Sequence, residues 1–351
     1  MSGTIYTLPV NVAGTNTQVQ FNDGGAFGAD AGLTYNKTTD ALSVTGSVIV
    51  PIVAAASSGN VNLILAPIGT GAIQAQIADN TATGGNARGQ YAVDLQRIRI
   101  AATQVASGNY SFVAGQNNTA SGNHSFVAGQ NNTASGNHSF AAGQNNTASG
   151  NHSFAAGQDC IASGTWSTAI GVVNTASGAG VFVAGADNSA SATSSVALGR
   201  RALARIAHQV AMGARIFEPG QGKSQYNIFI VGASTTEATP TVLSSGGGNQ
   251  IFLQNNSAMR FNILVIANVT GGENTSGWEL KGVIKRGANA ASTALVGTVT
   301  TTLVGQDAGA SGWAIAATAN TTNGGLTITA TGQAETTIRW VATVECAEVA
   351  F

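Results

Sequence analysis

At 351 residues the chain is long enough for two or three domains, yet only 8% of it is charged, with 14 Lys and Arg against 15 Asp and Glu. That balance offers no clustered cations for nucleic acid phosphates, and 43% hydrophobic content is the opposite of a disordered chain. The 46 glycines, with abundant Ala, Asn, Ser and Thr, suit β-rich, tightly stacked assemblies.

The opening residues, MSGTIYTLPVNVAG, lack the basic and continuous apolar regions of a secretory leader. No run of apolar residues is long enough for a membrane-crossing helix. The expectation is a chain made in a cytoplasm and kept there until assembly or lysis. Within residues 1–50, alternation over Thr17–Phe21 followed by Asn22-Asp23-Gly24-Gly25 predicts a hairpin, with further short strands at Leu33–Tyr35 and Ala41–Thr45. Residues 51–105, which include NVNLILAPIGTGAIQAQ and GGNARGQYAVDLQ, read as a Gly-rich β connector.

From Ala106 the sequence repeats. It runs ASGNYSFVAGQNNT, ASGNHSFVAGQNNT, ASGNHSFAAGQNNT and ASGNHSFAAGQDCI, then more loosely ASGTWSTAIGVVNT, ASGAGVFVAGADNS, ASATSSVALGRRAL and ARIAHQVAMGARIF, ending at Phe217. These are 8 units of 14 residues, each with Ala at its first place and Gly at its tenth. Helix-turn-helix repeats take about 33 to 47 residues; this period holds one coil of two short strands and two turns. Alternation along SFVAG puts Ser111, Val113 and Gly115 on one face of a strand, with Phe112 and Ala114 on the other. Stacked coils pair each strand with its copy at about 4.8 Å, so the eight units make a body roughly 38 Å long. The Asn pairs 117/118, 131/132 and 145/146 then form side-chain ladders. Such a coil encloses little volume, and several copies packing together would bury the apolar faces it leaves uncovered. Three-fold packing closes that contact without open-ended growth and suits a fibre. Units seven and eight gain Arg200, Arg201, Arg205 and Arg215 and read as a terminal, capping end.

Residues 218–351 change character. Candidate strands are Tyr226–Val231, Gln250–Leu253, Phe261–Val269, Trp278–Lys285, Ala294–Thr302, Trp313–Ala319, Leu326–Thr331 and Thr337–Val344, with Asn323-Gly324 as a hairpin turn. Short strands at this spacing predict an antiparallel sandwich or jelly roll. The whole chain therefore reads as all-β: N-terminal short strands, a parallel β-roll over 106–217, and a C-terminal antiparallel β-sandwich over 218–351.

Two resemblances follow from these residues. The pattern S-x-A-x-G-x-x-x-x-A, clean in SVALGRRALA from Ser195 to Ala204, resembles the head repeats of YadA-like trimeric adhesins. That resemblance implies a left-handed parallel β-roll and an intertwined homotrimer. The stretches QFNDGGAFGADAGLTYN and GNARG…AVDLQ are similar to the N-terminal parts of tailed-bacteriophage tail fibres, and the C-terminal region looks like the domains that finish such fibres.

Several residues invite chemistry. His124, His138 and His152 recur every 14 residues and stack in one column, which raises metal binding or pH sensing. Tyr110, Trp166 and Gly180 hold the same place, however, and a metal needs ligands converging from several directions; the column reads as a consensus place. Asp159 and Asp187 lie two rungs apart, roughly 10 Å, a span an inverting glycosidase pair can use. Set among Asn ladders without an aromatic platform, they read as solvated turn residues. Glu273, Glu279, Asp307, Glu335, Glu345 and Glu348 are scattered. Trp278, Trp313 and Trp340 fit a sugar-stacking platform or the sandwich core, with the core favoured. Lys281, Lys285 and Arg286 fit an anionic glycan or, better, a solvated strand end. Cys160 and Cys346 fit a single long-range disulfide or, better, two unpaired and partly buried thiols. Neither a cofactor nor a metal is expected.

The expected function is that of a non-enzymatic, trimeric virion fibre, a phage tail fibre made in the host cytoplasm. Its N-terminal part would meet a virion tail or baseplate protein. Its C-terminal tip would meet a host surface glycan or outer-membrane receptor through avidity. Nucleic acid and membrane insertion are not expected. Loops 244–249, 271–277 and 286–293 are the candidate receptor contacts, with no single residue singled out. The alternatives are a head-decorating fibre of similar build and a bacterial trimeric autotransporter-type adhesin passenger. The adhesin is favoured by the final Phe351 but not by the missing leader, heptad stalk and membrane strands. A depolymerase tailspike comes last for want of a carboxylate pair.

Overall fold

A computed structural model describes residues 18–23, 26–36, 41–44, 71–214, 217, 220–246 and 250–351. The chain divides into two compact units, Met1–Leu65 and Ala66–Phe351. In the first, β1 (Gln18–Asp23), β2 (Ala26–Asn36) and β3 (Ala41–Val44) form an antiparallel meander in which Asp23 opposes Ala26 and Leu33 opposes Val44. The expected hairpin and the short strand from Ala41 are therefore present, while Leu33–Tyr35 is the end of β2 rather than a strand of its own; Thr17, Gly24, Gly25 and Thr45 lie outside the described residues.

In the second unit the parallel stack begins before the repeats. Ile73–Gln74 (β4) and Val93–Asp94 (β5) form two rungs beneath the first repeat strand. Fifteen strands, β6 to β20, then run from Phe112–Gln116 to Val210–Gly213. The longer strand of each coil pairs in register with the next, Phe112 on Phe126 and Gly115 on Gly129, and the two-residue strands stack in a second sheet of seven. Among the described residues there is no α-helix, and this is a parallel β-solenoid with a 14-residue coil. The alternation holds. Ser111 and Val113 point inward and are buried, while Phe112 and Ala114 face out. The interior is a file of small residues, Ala120, Val127, Ala134, Ala141, Ala148 and Ala155 among them, all inaccessible to solvent.

The roll does not stop at a cap. Val210–Gly213 pairs antiparallel with β21 (Ser224–Thr235), placing Val210 opposite Ile228 and Met212 opposite Tyr226. The same sheet continues into the C-terminal region. There follow β22 (Thr241–Val242), β23 (Ile251–Phe252), β24 (Ser257–Val269), β25 (Thr275–Arg286), β26 (Ala294–Leu295), β27 (Thr300–Gln306), β28 (Ala314–Asn320), β29 (Gly325–Thr331) and β30 (Ile338–Ala350). One sheet has the order β26-β25-β24-β30-β21, with β27 also on β25; a smaller sheet holds β22, β29, β23 and β28. The predicted antiparallel sandwich is present, with Asn323-Gly324 between β28 and β29. The single strand expected over Ala294–Thr302 is divided into β26 and β27. The core between the sheets is built from Phe229, Phe261, Ile263, Leu280, Ile328 and Trp340, with Cys346 among them.

Candidate functional site

The coil geometry accounts for the consensus place by place. The thirteenth-place Asn is wholly buried and satisfies three backbone groups on two rungs. Asn132 donates through Nδ2 to the Ala128 carbonyl at 3.0 Å and to the Gly143 carbonyl at 2.8 Å, and its Oδ1 accepts from the Asn146 amide at 2.9 Å. The outer ladder also forms, Asn131 donating to Asn145 and Asn145 to Asp159. Cys160 interrupts the inner ladder. Its amide donates to Asn146, but its thiol faces the Asn174 amide where an amide oxygen stands in neighbouring coils.

On the outside run two aromatic files. Phe112, Phe126, Phe140 and Phe154 stack at 4.6 to 4.9 Å. Tyr91, Tyr110, His124, His138 and His152 stack at 4.8 to 4.9 Å, with Trp166 following at 6.4 Å. The fifth place therefore takes any flat ring, and all its residues have left-handed backbone, φ +55° at His124 and +56° at Tyr110. Parallel rings in a file do not converge on one ion. Among the described residues no three His, Cys, Asp or Glu gather into a metal cage.

The two roll carboxylates are partly exposed, and each makes a rung contact. Asp159 accepts from Asn145 at 3.0 Å. Asp187 pairs with Arg201 Nε at 2.9 Å and accepts from Gln221. Arg201 thus serves a rung contact, and Arg205 a deeper one. Its Nη2 donates at 2.6 Å to Glu348, a carboxylate that also accepts from Gln225 and Asn227 at 2.9 Å. Glu348 is 4% exposed. In sequence it is one of six scattered acids, and its partner lies 143 residues away. Arg215 lies outside the described residues. The opposite end of the roll carries a matching lock: Arg88 Nε at 2.8 Å and Arg99 Nη2 at 3.0 Å both meet the buried Asp94. Gln96 stands in for an inner-ladder Asn, accepting from the Asn118 amide at 2.9 Å. The residues that carry GNARG…AVDLQ are thus the turn of the solenoid directly beneath the first repeat.

In the sandwich the tryptophans are core. Trp278 and Trp313 lie 5.6 and 5.9 Å from Trp340, whose Nε1 donates to Thr235 Oγ1. Glu279 pairs with Lys281 at 2.8 Å, and Asp307 accepts from the Thr275 amide. Glu273 and Glu335 are exposed and Glu345 is half-buried. Lys285 is exposed, but Arg286 is not the solvated strand end expected of it: its Nη1 donates at 2.7 Å to the Leu253 carbonyl, tying the two sheets. Both thiols are free and buried. Burial pushes the Cys346 thiol up to about 12, and burial also raises Cys160.

Of the three loops, residues 247–249 lie outside the described residues. Thr275–Gly277 and Arg286 belong to strand β25. Residues 290–292 form a single turn capped by Asn289. Between β24 and β25, Thr270, Gly271 and Gly272 border a polar hollow of about 310 Å³ with Asn268 and Arg339.

The fold and these contacts define a parallel β-solenoid continued into an antiparallel sandwich. No family model matches the chain, and no curated protein matches it. Among solved structures it is similar to the Acinetobacter phage vB_ApiP_P1 tailspike protein, at 12% identity over 69% of this chain and 51% of that one, with a TM-score of 0.18. The chain spans about half the length of that tailspike. Such a score lies below that of a shared fold, and the solenoid assignment rests on the strands themselves.

Proposed function

We propose that the protein is a non-enzymatic fibre of a phage virion, a homotrimer with YadA-like head repeats that attaches the particle to its host. The observation that carries this reading is the thin coil. Its buried apolar side chains are almost all Ala and Val, while the larger apolar side chains of the repeat, Phe112, Phe126, Phe140, Phe154 and Phe182, sit on the outer face. Apolar area buried within one chain is therefore small, and association of copies supplies the rest. In this reading residues 1–50 dock on a tail or baseplate protein and 51–105 lead into the roll. The roll, 106–217, is a rigid spacer, and 218–351 is the host-facing tip. In this reading the polar hollow beside Gly271 and Arg339 is the candidate sugar contact. The carboxylates of the roll serve rung-to-rung contacts, which favours attachment over polysaccharide cleavage.

The test is mass in solution: three chains of 34.9 kDa give about 105 kDa by light scattering. A monodisperse species of the single-chain mass overturns the reading. Labels on each terminus, located on particles by electron microscopy, separate a tail fibre from a head-decorating one and set its polarity.

A further inference from the structure

The larger sheet of the sandwich has a core face and an outer face. A strand whose outer face meets water alternates apolar with polar residues. One end of this sheet does not. Ile230, Leu264, Ile266, Val304 and Val341 lie on its outer side and are 46% to 73% exposed. The register gathers them: Val341 opposes Ile266 on one side and Gly232 on the other, and Thr343 lies between Leu264 and Ile230. Leu264, Ile266, Val304 and Val341 line one shallow groove of about 360 Å³. A second groove, of about 400 Å³ and containing Ile230, meets it at Val341. Beside them β27 exposes all seven of its residues, TTTLVGQ, with no charge or proline to blunt a free edge.

We propose that this outer face is a seam between copies of the chain, so that the sandwich joins the assembly through its sheet and leaves its loops free. The proposal rests on the multimeric reading above and extends it to a region that carries no repeat.

Three observations favour a second copy as the occupant. The first is continuity. Val210 and Met212 face outward on the last roll strand and oppose Ile228 and Tyr226, so the Phe-bearing face of the roll and this patch belong to one side of one sheet. The second is area. From the Phe112 strand to β27 there are twelve strand spacings, ~58 Å at about 4.8 Å each, and two outward side chains span ~10 Å. The resulting face of roughly 600 Å² per chain approaches the ~800 Å² each partner gives to a stable interface. The third is charge. The patch itself is neutral, and the outward positions around it carry both signs: Glu279 paired with Lys281, then Glu345, Arg260, Lys285 and Arg339. A copy of the same face meets no like-charged field.

The experiment uses the full chain. In Leu264→Thr/Ile266→Thr, threonine keeps the strand propensity while removing apolar area. Thr318→Glu, on the exposed side of β28, is the control. With circular dichroism and melting reporting the fold, the double variant is expected to dissociate at a concentration at least 10-fold higher than wild type, and the control is not. A second readout does not depend on dissociation. Because both native thiols are buried, a thiol reagent reads only an added cysteine. Val304→Cys in the assembled protein is expected to react at least 10-fold more slowly than Thr318→Cys. Equal rates in a multimer, or a folded double variant that dissociates at the wild-type concentration, overturn the seam and leave the multimer standing. A monomeric wild type overturns both.

Discussion

In the roll the buried side chains are alanine, valine, serine and asparagine; in the sandwich they are Trp340, Phe229, Phe261 and Leu280. The roll buries little apolar area per residue and instead saturates its backbone, rung on rung, with serine hydroxyls and asparagine amides. Ser125 Oγ, for instance, donates to the Gly122 carbonyl at 2.6 Å, and Asn118 Nδ2 donates to the Gly129 carbonyl at 2.7 Å. The sandwich is an ordinary two-layer core, stabilised by area removed from water. The two halves should therefore fail differently: the roll at backbone positions and polar ladders, the sandwich at large apolar side chains and at the buried Glu348.

The sharpest break is Gly129→Val. A Cβ there would lie 2.1 Å from the Gly143 carbonyl oxygen, on a residue with φ +112°. A stacked neighbour cannot yield without shifting every rung above it. We expect a loss of more than about 4 kcal/mol, beyond the usual range for a point change, seen as a collapsed melting temperature.

Next is Glu348→Ala, which tests the junction where the halves meet. It removes the acceptor of Arg205, Gln225 and Asn227 and leaves a buried guanidinium uncompensated. A loss of about 3 kcal/mol is expected, and denaturant melts should show the last roll strands and β30 weakening together. Independent weakening would show that the halves are not coupled there.

The inner ladder offers a matched pair. Asn132→Ala leaves the Asn146 amide without its acceptor, removes one hydrogen bond from each of two carbonyls, and should cost about 2 kcal/mol. Cys160→Asn restores the missing rung and should raise stability by about 1 kcal/mol. A loss on restoring the asparagine would show that the thiol is better packed than the ladder it interrupts.

Smaller still is His124→Asn. Its backbone, at φ +55°, suits asparagine, and only ring stacking is lost, so a change within about 0.5 kcal/mol is expected. A large drop would assign the outer ring file a structural role comparable with the inner ladder.

The last concerns pH. Burial raises the Cys346 thiol from 9.0 to about 12. A raised thiol favours the fold fully below its unfolded value, and that contribution is lost as pH rises from about 9 toward 12. Cys346→Ala should flatten the alkaline fall in stability relative to wild type, while at neutral pH neither native thiol should react with reagent until the protein unfolds.

The repeat, its 14-residue period, the rung register and the inward and outward places of SFVAG are readable in the sequence because each is a local, periodic property. Alternation puts Val113 in and Phe112 out whatever lies beyond. The C-terminal strands are legible for the same reason, as is the turn at Asn323-Gly324. What the linear text hides are pairings across long separations. Arg205 and Arg201 read as the marks of an exposed cap, but antiparallel pairing with β21 carries the sheet onward and buries Arg205 against Glu348, 143 residues away. Arg286 reads as a solvated strand end, yet the approach of the second sheet supplies it with the Leu253 carbonyl. Asp94 and Gln96 read as connector until stacking sets them beneath the first repeat. Period and side-chain face are set by neighbours in the chain. Which polar group is buried, and which apolar face is left bare, depends on what folding brings opposite it.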